Sequence, residues 1–93
     1  MEQPPNRQQN LVGPVVRRLR MAAGLSQEAL AAKLQVAGWD LTRGGLSKIE
    51  ARLRRVNDAE LLVLATVLKC GLSDLYPKPN RKDVARVLRQ ARG

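Results

Sequence analysis

The stretch Thr42–Ala51, TRGGLSKIEA, decides how the rest of this chain is read. Leu46 and Ile49 stand three apart and so share one side of a helix, which leaves Arg43, Gly44, Ser47 and Lys48 on the opposite side. Thr42 is a good N-cap, and Leu41 before it reaches Leu46 as a hydrophobic staple. The outer face therefore presents a guanidinium, a hydroxyl and an ammonium, groups able to bond base edges and phosphates in a duplex groove. Taken alone, the segment also reads as an ordinary amphipathic helix with a solvated face, and the flanking sequence selects between the two.

Upstream, Ser26 caps a helix over Gln27–Ala37 whose inward stripe is Leu30, Ala31, Leu34 and Ala37, with Leu25 and Leu30 as a second staple. Small Ala31 lets another helix approach closely. Gly38 closes this helix, and Trp39 follows where it packs back on Leu34 as a hydrophobic plug. An earlier helix starts at Leu11, with Val12, Val15, Val16 and Leu19 at helical spacing and Pro14 tolerated in its first turn. Gly24 takes the left-handed position that ends it. The polar segment Met1–Asn10 has nothing to bury and is expected to be a mobile arm, with Arg7 in reach of a phosphate.

Downstream, Ala51–Arg55 is a basic loop, and Asn57 with Glu60 makes a capping box flanked by the staple pair Val56 and Leu61. Asp58–Lys69 is apolar on nearly every side, as for a helix central to the core or shared with a second subunit. Gly71 is expected to end it, and Ser73 to open one turn through Tyr76 before Pro77, Lys78 and Pro79 break the chain. Asn80 caps a last helix, Arg81–Arg92, with Val84, Val87, Leu88 and Ala91 on one stripe among Arg81, Lys82, Arg86, Arg89 and Arg92. Docking on its own domain or pairing with a partner subunit is preferred for it over lying on DNA or on a membrane surface.

Ninety-three residues make one domain, and 17 Lys and Arg against 8 Asp and Glu give a net charge of +9 and a pI near 11.1. Such a balance points to a polyanionic partner. Histidine is absent and Cys70 is the sole cysteine, so Ser-His and Cys-His catalysis and Cys/His zinc sites are excluded by inventory. No catalytic residue, metal site or cofactor is expected. Cys70 reads as a small hydrophobe, with redox sensing as the alternative. The absence of Phe argues against RNA-binding sheets with aromatic platforms. With no membrane-spanning run and no signal-peptide pattern, the expected location is cytoplasmic, at the nucleoid.

Three segments together, LRMAAGLSQEALAAKL over Leu19–Leu34, LSKIEA over Leu46–Ala51 and LLVLATVLKCGLSDLY over Leu61–Tyr76, resemble the Cro and phage-repressor type of helix-turn-helix domain, the Xre family. The resemblance runs roughly from Val12 to Tyr76. It implies an all-α, compact five-helix lambda-repressor-like bundle over residues 11–76, preceded by the arm at 1–10 and followed by a Pro-containing linker and the C-terminal amphipathic helix at 77–93. It further implies that Gln27–Ala37 lies across the phosphate backbone and Arg43–Ala51 enters the major groove. Arg43, Gly44, Ser47 and Lys48 then face bases. Gln27, Thr42, Arg52, Arg54 and Arg55 face phosphates. Arg20 and Glu50 stand where family members often tie the first helix to the reading helix by an ion pair. An acid so near DNA needs such a partner.

Three features depart from the family pattern. The turn is lengthened by Ala37–Leu41, so Gln35 replaces the usual turn glycine and the bend moves to Gly38; Gly44 and Gly45 open the reading helix; and Arg52 stands where a glycine is common. The expected function is a sequence-specific, double-stranded DNA-binding transcriptional regulator, a repressor in preference to an activator, that reads the major groove with Arg43–Ala51. It would act as a homodimer through Asp58–Lys69, Leu72–Tyr76 or the last helix. The alternative is an antitoxin-like or adaptor module that binds an acidic protein. An enzyme is disfavoured because no nucleophile, base and orienting group can be assembled.

Overall fold

The computed structural model describes residues 8–78 and 80–91, so most of the expected arm (Met1–Arg7), Pro79 of the linker and Arg92 of the last helix lie outside the described residues. Five α-helices and no strand occur among them: α1 (Gly13–Ala22), α2 (Gln27–Val36), α3 (Arg43–Glu50), α4 (Asp58–Leu68) and α5 (Arg81–Ala91), with a short 3-10 turn over Leu72–Leu75 between the last two.

Side chains start the helices where the sequence places them. Ser26, Thr42 and Asn57 each accept the backbone N–H three residues on, from Ala29, Gly45 and Glu60 respectively. Glu60 returns a bond to the Asn57 N–H at 3.0 Å, completing the capping box. The endings share one pattern of paired reverse hydrogen bonds. Leu25 N–H donates to Arg20 O, Trp39 to Leu34 O, Leu53 to Lys48 O and Cys70 to Ala65 O. Glycine supplies the left-handed residue at Gly24 and Gly38, whereas Arg52 (φ 65°) and Lys69 (φ 58°) supply it after α3 and α4. The helix expected to run through Lys69 and stop at Gly71 therefore turns two residues earlier. Gly71 instead has an extended backbone, and its N–H donates to Asp74 Oδ2 to start the 3-10 turn.

The core joins all four N-terminal helices. Val16, Leu30, Leu34, Leu46, Ile49, Leu64 and Leu75 are fully buried, with Val12, Leu41 and Ala65 around them. Leu41 and Leu46 are both buried, as a staple requires, while Trp39 packs half-buried against the same cluster. Ala37, expected on the inward stripe, is exposed, because α2 stops at Val36 and Ala37 is already its C-cap. Only Leu64 and Ala65 of α4 are buried, and Leu62 is 57% exposed, so this apolar helix shows an open side.

Asn10 belongs to the fold, not to an arm. It is 5% exposed; its Oδ1 accepts the Gly13 N–H at 2.9 Å, and its Nδ2 donates to Ile49 O at 3.1 Å and Arg54 O at 2.8 Å. The first of these bonds has the spacing of an N-cap, and an Asn directly before a periodic apolar run is the sequence signal that marks it. The close approach it enforces explains Gly13, where a Cβ would collide with the Ile49 carbonyl.

Candidate nucleic-acid interface

Helix α3 is held from behind and open in front. Leu46 and Ile49 are fully buried and Glu50 nearly so, while Thr42, Arg43, Gly44, Ser47 and Lys48 are exposed. Arg43 and Lys48 make no ion pair among the described residues. The two glycines differ: a Cβ on Gly44 would meet nothing closer than Thr42 Oγ1 at 3.8 Å, whereas one on Gly45 would come within 2.6 Å of Leu41 Cδ1. Gly44 is thus the outward one, and Gly45 makes room for the staple beneath.

A buried network sets the orientation of α3. Arg20 of α1 reaches Glu50 with Nε at 2.7 Å from Oε2 and Nη2 at 3.0 Å from Oε1, and its Nη1 donates to Leu25 O at 2.8 Å. Hydrogen bonding to Glu50 raises the Arg20 pKa above the ordinary arginine value, against the lowering effect of burial. Gln27, at the start of α2, donates its Nε2 to Glu50 Oε1 at 3.0 Å. The side chain expected on a phosphate is therefore occupied with the end of α3, and one carboxylate joins α1, α2 and α3.

The lengthened turn is closed by local bonds. Gln35 Nε2 donates to Leu41 O at 2.9 Å, and Gly38 takes φ 103° so that Trp39 can fold back on α2. Gln35, still within α2, thus braces the segment Ala37–Leu41 from the end of the helix.

The loop after α3 differs most from expectation. Arg54 makes a two-pronged contact to Glu60, at 3.1 and 3.0 Å, with its guanidinium carbon 5.7 Å from the Trp39 ring centre. Arg52 donates to Asn10 O at 3.2 Å and lies 3.8 Å from Asp83 of α5. Arg55 donates to Gln90 O, also in α5, at 2.9 Å and remains exposed. All three were expected on phosphates, yet all three make hydrogen bonds within the fold, and of them only Arg55 stays exposed. Residue spacing does not disclose this, because Asp83 and Gln90 are distant in sequence. Glu60, three residues past the Asn57 cap, offered a local clue for Arg54.

No described helix is long and apolar enough to cross a membrane, and no group of His, Cys, Asp or Glu able to hold a metal ion occurs among the described residues. Cys70 is half-buried, and burial, followed by nearby Asp74, pushes its thiol pKa up, away from a reactive thiolate.

The chain matches the helix-turn-helix family over residues 16–75. Among solved structures it is similar to the restriction-modification controller protein C.AhdI from Aeromonas hydrophila, with 37% sequence identity, a TM-score of 0.62, and coverage of 71% of this chain and 91% of that one. No curated protein matches it. Helices α1 to α4 and the 3-10 turn fall almost wholly within the matched span, and the chain belongs to the Cro-type, or Xre, helix-turn-helix family of DNA-binding transcriptional regulators.

Proposed function

We propose that the protein is a sequence-specific regulator that reads the major groove of double-stranded DNA with α3 and represses transcription from the sites it occupies. The observation that carries this reading is the exposure of Arg43, Gly44, Ser47 and Lys48 on a helix whose other side is locked into the core. In this reading Arg43 and Lys48 bond base edges, Gly44 lets the backbone come near, and Ser47 adds an adaptable hydroxyl. Thr42, Arg55 and the N-terminal end of α2 around Gln27 meet phosphates. Arg52 and Arg54 shape the loop that carries Arg55. The protein binds and does not catalyse, in the cytoplasm.

The acting form is a homodimer, since two half-sites about one DNA turn apart strengthen a short reading helix. Leu62 (57% exposed), Leu72 (47%) and Tyr76 (46%) give α4 and the 3-10 turn an apolar side that supports this pairing. The likeness to a controller of restriction and modification favours gene regulation over the adaptor alternative.

The test is selection of bound duplexes from a random pool at stated salt. A repeated half-site is the expected outcome. Enrichment of no sequence, together with tight capture of an acidic protein, would establish the adaptor reading instead.

A further inference from the structure

Helix α5 lies beyond the span matched to the family, which ends at residue 75. It docks on the side of the molecule that carries the loop after α3. Asp83 faces Arg52 and Gln90 O accepts from Arg55, and Gln9 Nε2 donates to Gln90 Oε1 at 3.3 Å. These anchors are seven residues apart, about 10 Å along a helix axis, so α5 runs alongside the loop for about two turns. Half-buried Val87 lies on the same stripe as Asp83 and Gln90.

One helical step to the side, Lys82, Arg86 and Arg89 fall at i, i+4 and i+7 and form a single cationic stripe. Lys82 and Arg89 are exposed, and Arg86, paired with Asp83 at 3.1 Å, keeps 34% of its side chain open. The opposite flank carries Val84 and Leu88, which are 38% and 62% exposed. The acidic residue of this helix, Asp83, is neutralised between Arg52 and Arg86. Docking of α5 thus ties up Arg52 and sets a stripe of three cations beside the helix side that meets the loop after α3.

We propose that α5 is a second backbone-binding element, whose Lys82, Arg86 and Arg89 stripe tracks the phosphates flanking the site read by α3. It rests on the DNA-binding role proposed for α3. It assigns α5 an electrostatic part that extends the footprint without reading bases.

The test uses the full chain and two duplexes, one trimmed to the selected site and one extended by a helical turn on each side, titrated over a range of salt. The wild-type chain is expected to bind the extended duplex at least roughly tenfold more tightly, with a slope of log affinity on log salt steeper by roughly five, as about three added phosphate contacts from each subunit of the dimer dictate. The K82Q/R86Q/R89Q variant is expected to lose that advantage while keeping its affinity for the trimmed duplex. Arg89→Gln alone, at an exposed position, is expected to lose part of it, which keeps the test valid if the triple variant folds poorly. Equal binding of the two duplexes by the wild-type chain, or an unchanged advantage in the variants, overturns the proposal and leaves the role of α3 intact. Weakened binding in Leu88→Gln, with the charge variants unaffected, overturns it in favour of subunit pairing by α5. Absence of site preference in the wild-type chain removes both readings.

Discussion

Arg20 Nε stands 2.7 Å from Glu50 Oε2, with the two side chains 10% and 3% exposed, and this pair locks α3 to α1. Breaking a buried pair strands a charge, which costs more than the pair itself contributes. Glu50→Ala is expected to lower stability by about 3 kcal/mol, and a double-mutant cycle with Arg20→Met to show coupling above about 1 kcal/mol. Urea unfolding measures both. Strict additivity would mean that the pair does not position α3.

Gly13 of α1 and Gly44 of α3 respond in opposite directions. Gly13→Ala drives a methyl into the Ile49 carbonyl and is expected to cost about 2 to 3 kcal/mol. Gly44→Ala meets open space and is expected to raise stability by about 0.5 to 1 kcal/mol while weakening DNA binding. Thermal midpoints and binding titrations of the two variants separate fold from interface. Loss of stability in Gly44→Ala would place that residue inside the packing.

Asn10→Ala leaves the Ile49 and Arg54 carbonyls without their Nδ2 donor and removes the acceptor for the Gly13 N–H. The expected loss is about 1 to 3 kcal/mol, read by denaturant midpoint. A neutral result would return Asn10 to the arm.

Burial pushes the Glu60 carboxyl up, but the Arg54 guanidinium and the Asn57 N–H outweigh it, so its pKa lies below the ordinary 4.5. A carboxyl depressed in the folded state is more readily protonated in the unfolded chain. Its stabilisation is complete above the unfolded value and is lost as pH falls through the folded one. Stability is expected to decline below about pH 4.5, and Glu60→Gln to be weaker at neutral pH with a flatter acid limb. Parallel limbs for the two proteins would rule out this contribution.

Arg43→Ala and Lys48→Ala are each expected to cost about 1 to 3 kcal/mol at the selected site and to relax base preference there. Arg54→Ala is expected to lower stability by about 1 kcal/mol through loss of Glu60 and Trp39, with the salt slope unchanged. If Arg54→Ala instead flattens the salt slope without touching stability, that arginine is a phosphate ligand.

Much of the fold was legible because its signals are local. Ser26, Thr42 and Asn57 act on N–H groups three residues away, and Leu46 and Ile49 share a side by helical geometry alone. The helix ends were less legible. Arg52 and Lys69 adopt left-handed backbone where glycine is the cheaper choice, and composition does not mark such positions.

The order of the helices, the N-caps Ser26, Thr42 and Asn57, the staples and the face that α3 turns outward are properties of the sequence, since each follows from residues within one or two turns of each other. Only the tertiary structure decided what the cations do. Arg52 and Arg54 are as basic as Arg43 and Lys48, but folding brings Asp83 and Glu60 to the first two. A charge is drawn to whatever partner three-dimensional packing places within a few ångströms, and chain position does not set that distance.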